Sequence, residues 1–316
     1  MTSTIGSFPL EDSEDNRRRC IDDLLRIGID FPAYPQLIGM GDQFLRDLAS
    51  TGSGLVSHGD VYRLVVSVPS WDIRPIGLDQ LVWAVRYLSQ KGLRAKVRIK
   101  APITGPFTLA SFIQRGGGVF PYNTASSDPK IVDQLTDVLE ATCREASKYA
   151  EMISIDEPVL GILVGSRILF GYSEDYILSV FSRLRNACGD RLVGTHICGR
   201  IPPRLAQILL RSELDFLSHE FHDTPENINV YHADDVRDRG KILSVGCLST
   251  SKTIVETPEE VLALMNRFRE YGSRLIFTPD CGFRKLASGN IGQDEAYMIS
   301  VKKLESLVAA IKRFNL

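Results

Sequence analysis

Residues 191–221 read RLVGTHICGRIPPRLAQILLRSELDFLSHEF. An apolar run, RLVGTHIC, ends on polar residues. A proline pair follows, and over residues 203–210 the leucines and isoleucine recur at helical spacing. A second short apolar run, LDFLSHEF, closes the stretch. Short apolar runs bounded by turn residues read as strands, and an amphipathic run opened by proline reads as a helix. Strand, helix, strand in that order requires a crossover, so the two strands lie parallel.

The same unit recurs in both directions. Strands are expected at residues 2–8, 28–34, 95–102, 151–158, 191–198, 214–221, 241–247 and 274–282. Helices are expected at 12–27, 41–49, 79–90, 129–149, 174–186, 203–210, 225–236, 258–271 and 294–313, with a shorter one after Gly105. GLVSH and YRLVVSV make a hairpin insertion near residues 54–67. The glycine-rich run RGGGVFPYN is a loop, either a cover over the mouth or an ordinary surface excursion. Eight alternating units give an α/β chain, a (β/α)8 TIM barrel in one domain over residues 1–316. The alternative, a doubly wound open sheet, would bring a glycine-rich phosphate turn after the first strand, and IGSFP is not one.

Composition narrows the function. Thirty-seven Lys and Arg against 39 Asp and Glu leave a net charge of −2, and no basic block exceeds Arg17, Arg18 and Arg19. That excludes a basic nucleic-acid surface. No apolar run is long enough to cross a bilayer, and residues 1–19 lack the regions of a signal peptide, so a cytoplasmic protein without membrane partners is expected. The six cysteines are widely scattered. That argues for free thiols, metal ligands or buried fillers and against a disulfide framework.

In a barrel of this kind chemistry sits at the C-terminal ends of the strands. The polar residues there are Asp156 and Glu157 after the fourth strand, and His196 and Cys198 after the fifth. Glu220, between His219 and His222, follows the sixth; Asp280 and Cys281 follow the eighth. One imidazole, two thiols and a carboxylate on three strands of one rim are zinc-ligand types. Cys20, Cys143, Cys188 and Cys247 read as buried fillers, and His58 and His232 as surface residues.

TIGSFP, ISIDEP, HIC, HEF and PDCGFRKL, in that order and spacing, resemble the catalytic C-terminal barrel of cobalamin-independent methionine synthases. The chain looks most similar to their short, single-barrel forms. Cys198 and Glu220 are 22 residues apart, and Glu220 and Cys281 are 61. The resemblance implies that His196, Cys198, Glu220 and Cys281 bind zinc. It also implies that Ser7 and Asp156 hold the amino acid part of homocysteine, and that no separate N-terminal barrel accompanies this one. Zinc would deprotonate the acceptor thiol, since the thiolate is the nucleophile. Two thiolates and one glutamate over-compensate the metal's charge, so a further sulfur stays electron-rich. Glu220, the most replaceable ligand, would yield its place to that sulfur.

Two departures from the long enzymes stand out. Gln36 occupies the place of a glutamate that helps hold the substrate ammonium, leaving Asp156 to carry the charge pairing. After the seventh strand the long enzymes carry a histidine that protonates a pterin leaving group, whereas VGCLSTSKT has none. A cob(I)amide leaves without a proton, so the expected donor is a methylcorrinoid, free or on a corrinoid protein. The expected activity is therefore zinc-dependent methylation of homocysteine to methionine. Alternatives are a methylcobamide:coenzyme M methyltransferase-like enzyme, since HICG and TGPFTLA also occur in that group, and a methionine synthase using a methyltetrahydropterin. A porphyrin-type decarboxylase would need no zinc. A purely structural zinc would prefer a closed Cys/His set without glutamate.

Overall fold

The computed structural model describes residues 1–51, 54–59, 61–67, 69–288 and 291–314. Its strands are β1 (Leu55–His58), β2 (Val61–Leu64), β3 (Lys100–Thr104), β4 (Ile113–Gln114) and β5 (Met152–Asp156), then β6 (Leu192–Ile197), β7 (Phe216–Glu220), β8 (Ile242–Gly246) and β9 (Leu275–Thr278). Six of them form one parallel sheet in the order β3-β5-β6-β7-β8-β9. The two missing staves are held by single parallel bridges. Thr2 meets Phe277 and Ser3 meets Phe31, while Ser7 meets Gln36 and Ala33 meets Lys100. Residues 2–7 and 31–36 thus close the sheet between β9 and β3, and the fold is the expected (β/α)8 barrel. Pro32 and Pro35 have no N–H to give a ladder, which accounts for bridges where continuous strands were expected.

The third stave is displaced from its expected place at residues 95–102. Residues 94–96 form a turn of 3₁₀ helix and the strand begins at Lys100. Arg94 ties the turn to Val97 O and Tyr149 O, and the Glu151 carboxylate takes the Ile99 N–H at 2.8 Å. A strand N–H spent on a side chain cannot join the ladder. The helix expected at 225–236 is a 3₁₀ segment Pro225–Asn229 followed by a short helix Ala233–Asp238, and the one expected at 258–271 ends at Asn266 before a 3₁₀ turn Arg269–Tyr271. Other helix boundaries follow their local signals. Helix Glu14–Ile27 is capped by the Ser13 side chain, and Gly28 at φ 87° ends it. Thr257 and Glu260 form a capping box on helix Pro258–Asn266.

β1 and β2 pair antiparallel, as the hairpin reading expects; positions 60 and 68 lie outside the described residues. β2 also runs parallel beside β4, with Tyr62 opposite Ile113, a pairing not foreseen. The glycine-rich loop starts from β4 and returns to it through a Gln114–Thr124 bridge.

Phe31, Met152, Phe216 and Ile276 pack as a separate buried cluster. They come from the second, fourth, sixth and eighth staves, near the strand starts. Such a layer of four from alternate staves fills a barrel end. It plugs the N-terminal end and leaves the opposite mouth for chemistry. Among the described residues no helix is long and apolar enough to cross a membrane.

Candidate metal centre

Every second residue of a strand faces the same way. On β5 the inward positions run Met152, Ser154, Asp156; on β7 they run Phe216, Ser218, Glu220. Each series is apolar at the plug and polar at the mouth. On β6 the same parity puts His196 inward, and Cys198 follows just past the strand. Cys281 enters from the turn after β9.

These three side chains meet. His196 Nε2 lies 3.1 Å from Cys198 Sγ, and the Cys198 and Cys281 sulfurs are 3.0 Å apart. All three ligand atoms lie within 4.8 Å of one another. His196 Nδ1 contacts Ser218 Oγ at 3.2 Å, which fixes the ring and aims Nε2 at the sulfurs. The Cys198 thiol hydrogen-bonds to Cys281 and holds it well below the usual thiol range, while Cys198 itself is pushed up. Two soft donors and an oriented imidazole around one point suit a zinc ion.

Glu220 stands at the edge of this group. Its carboxylate is not within 4.8 Å of all three other ligand atoms, and Oε2 accepts a hydrogen bond from Thr224 Oγ1 at 3.0 Å. The following loop is pinned by Asp280, whose carboxylate accepts the N–H groups of Phe221, His222 and Asp223 at 3.0, 3.1 and 2.6 Å. Burial nevertheless pushes Asp280 up to about 6. Asp280 is thus an anchor for the segment that carries Glu220. His222, Asp223 and Asp280 also lie close together, but Asp223 is already engaged by Ser249, Ser251 and Lys252.

A cavity of ≈ 190 Å³ opens over these three side chains. Ser7, Gln36 and Asp156 line it beside His196, Cys198 and Cys281, with Ile5, Ile38 and Met40 among its apolar lining and Arg284 and Lys285 also on its wall. Asp156 is buried and accepts a 2.5 Å hydrogen bond from Ser154 Oγ. Burial raises its pKa, against the pull of His196, Lys100 and that hydrogen bond. Gln36 Nε2 is committed to Gln43 Oε1 at 3.3 Å and to Tyr34 OH and Pro102 O at 3.5 Å, which leaves Oε1 as its free acceptor. Six of the seven residues singled out in the sequence therefore line one cavity; Glu220 does not.

Glu157, the neighbour of Asp156, turns the other way. Its carboxylate accepts from Phe107 N, Thr108 N and Thr108 Oγ1 at 3.0, 2.8 and 2.6 Å, capping helix Pro106–Phe112. A β-carbon on Gly105 would stand 2.2 Å from Glu157 Oε1. TGPFT and IDEP are thus two halves of one clasp. Burial outweighs these hydrogen bonds and pushes Glu157 up to about 8.

His219 is also sealed away. Nδ1 donates to Ile197 O at 3.2 Å and Nε2 accepts from Tyr231 OH at 3.0 Å. Several polar residues went unnoticed in the sequence: Ser154, Ser218, Thr224 and the buried Lys100, and the cavity-wall cations Arg284 and Lys285. The period-two inward pattern would have found the two serines. Lys100 was hidden by the misplaced third strand.

The sequence profile described as "Cobalamin-independent synthase, Catalytic domain" matches residues 80–303. The chain belongs to this family. Over 99% of its length it is 26% identical to a methionine synthase of Methanothermobacter marburgensis, covering 100% of that protein. It is 22% identical to a methionine synthase of Methanocaldococcus jannaschii, covering 99% of this chain and 98% of that one. A B12-independent methionine synthase from Shewanella sp. W3-18-1, solved with selenomethionine, superimposes with a TM-score of 0.72. Identity there is 16%, over 99% of this chain and 97% of the other. A methyltransferase from Methanosarcina mazei follows at TM-score 0.60 and 16% identity, over 94% and 84% of the two chains. At such identities the two structures bear on the fold, the barrel of this family.

Proposed function

We propose that the chain is a single-barrel, cytoplasmic, zinc-dependent methyltransferase that converts homocysteine to methionine. One observation carries the reading: the His196–Cys198–Cys281 set and the polar trio Ser7, Gln36 and Asp156 line the same cavity. His196, Cys198 and Cys281, completed by Glu220, would hold the zinc. A bound zinc supplies a thiol of strongly lowered pKa, and so a thiolate nucleophile at neutral pH.

The rest falls to the protein's own side chains. Asp156 accepts from the acceptor's ammonium, joined by the free Oε1 of Gln36. Ser7 donates to its carboxylate. Thr224 gives the Glu220 carboxylate a hydrogen-bond partner of its own, so Glu220 would be the ligand that could give way to the acceptor sulfur. Homocysteine carries both charges, and the cavity offers both complements: Asp156, and the cations Arg284 and Lys285. Coenzyme M has a sulfonate and no ammonium, and would leave the buried Asp156 without a cationic partner in the cavity, which is costly.

The donor reading is a methylcorrinoid. Its support is the leaving group: residues 245–253 hold no histidine, His219 is sealed, and His196 is the one histidine lining the cavity. The family's description as cobalamin-independent runs against it. Zinc-loaded protein assayed with methylcobalamin or methyltetrahydrofolate, and with homocysteine or coenzyme M, tests both halves. Methionine is the expected product, from methylcobalamin. Turnover from methyltetrahydrofolate alone would overturn the donor; no methionine from either donor would overturn the function.

A further inference from the structure

Behind the cavity wall, Gln36 leads into a buried hydrogen-bond relay whose far members the chemistry above does not use. Tyr34, Gln36 and Gln43 are all buried. Gln43 belongs to the helix Asp42–Ala49, which follows the second stave. Its Nε2 donates to Gly77 O at 2.6 Å and to Tyr34 OH at 2.7 Å. The Tyr34 hydroxyl in turn donates to Pro102 O at 2.9 Å. Gln43 Oε1 accepts from Gln36 Nε2 at 3.3 Å.

The polarity of this relay is fixed from outside it. A side-chain amide has a donor end and an acceptor end of nearly the same shape, so its partners decide its orientation. Backbone carbonyls only accept. Gly77 O therefore requires the nitrogen of Gln43. Pro102 O takes the one proton of Tyr34, which leaves that hydroxyl an acceptor toward Gln43. With its nitrogen spent, Gln43 shows its oxygen to Gln36, and Gln36 answers with its nitrogen. Gly77 is itself pinned: its N–H is held by Asp47 Oδ2 at 2.8 Å, its φ is 68°, and a β-carbon there would stand 2.4 Å from the Phe44 ring. Gln36 lines the cavity, and its remaining end is Oε1. No donor among the described residues reaches that oxygen. It sits against Gly6, where a β-carbon would stand 2.6 Å from it.

We propose that Gln43 is a positioning residue for the acceptor's amino group: its amide holds Gln36 with the carbonyl oxygen toward the cavity. The subsite at Gln36 then accepts hydrogen bonds and gives none. It takes an N–H group and turns away a carboxylate or a sulfonate. Without Gln43, the Gln36 amide is free to turn over, and the fraction that presents its NH2 group is not competent to bind an ammonium. This inference rests on homocysteine being the acceptor.

The test is calorimetric binding of methionine to the zinc-loaded full chain, which needs no methyl donor, beside the kinetics of homocysteine methylation. Methionine is compared with 4-(methylthio)butanoate, which lacks only the amino group. Q43M keeps the length of the side chain and removes both ends of the amide. Its Kd for methionine and its KM for homocysteine should rise about tenfold, with kcat changed much less and zinc content unchanged. Binding of 4-(methylthio)butanoate should not change. Q43E keeps an oxygen for Gln36 Nε2 and loses the donor for Gly77 O, and should bind methionine nearly as the wild type does. In the Q36M background, Q43M should add no further loss. An equal penalty for both ligands, additive losses in the double variant, or a Q43E protein as impaired as Q43M would show the relay to be a structural tie between staves and overturn the inference. Wild-type protein that binds neither methionine nor homocysteine would instead overturn the functional reading, and this inference with it.

Discussion

Gly282 and Ser7 occupy one space: a β-carbon at position 282 would stand 1.9 Å from Ser7 Oγ and 3.0 Å from Ser7 Cβ. The next residue, Phe283, donates its N–H to Ser7 O at 2.8 Å. The turn that carries Cys281 is thereby laid against the first stave, and Cys281 and the polar residue of IGSFP become neighbours. The G282A variant should push the Ser7 side chain out of the cavity wall. We expect a raised homocysteine KM with normal zinc content. An unchanged KM in a folded variant would remove Ser7 from the acceptor site.

Cys198→Ser and Cys281→Ser should each strip most of the zinc, with about one zinc per chain in the wild type. The fold should survive, because the barrel core is built without these residues. Metal analysis beside far-UV circular dichroism checks this. Full zinc in the Cys281→Ser protein would defeat the ligand assignment.

Asp156→Asn keeps the shape and removes the charge facing the acceptor. A charged hydrogen bond contributes about 2 kcal/mol, or roughly thirtyfold in binding. The homocysteine KM should rise by that order while zinc stays in place. Wild-type kinetics in this variant would move the amino acid pocket elsewhere.

His219 makes a pH prediction for the metal-free protein. Burial lowers its pKa to about 3, whereas a histidine in the unfolded chain titrates near its ordinary value. Between those values the unfolded state binds a proton that the native state refuses, so stability falls as pH drops through that window. His219→Gln keeps an amide donor and acceptor and cannot titrate. Its urea midpoint in the presence of chelator should fall less steeply with acidification than that of the wild type. Parallel slopes would mean that His219 is not the group responsible.

Much of the molecule was legible in residues 1–316 because local pattern and tertiary role coincide. Leu192–Ile197 and Phe216–Glu220 read as strands because a parallel strand buried on both faces is a short apolar run. His196, Cys198 and Cys281 were found because chemistry in this fold gathers at strand ends, and a chain position there is nearly a spatial one. The clasp between Gly105 and Glu157 was not legible. Asp156 and Glu157 are adjacent acids, and which one faced the cavity was settled by strand parity and by a helix N-terminus 49 residues away that needed an acceptor.

What the sequence by itself determined is the periodic part: eight alternating units, the rim on which the ligand types fall, and the apolar-to-polar gradient along β5 and β7. These follow from spacings of two and of about 3.6 residues, which any local window contains. What only the tertiary structure decided is how distant groups share space. Single bridges close the barrel where prolines spoil the ladder. Glu220 rests on Thr224 at the edge of the thiol pair, and the buried Lys100 donates to Thr4 O across the barrel closure. Such relations depend on contact between residues far apart in the chain, and on the balance of burial against charge there. No local periodicity encodes either.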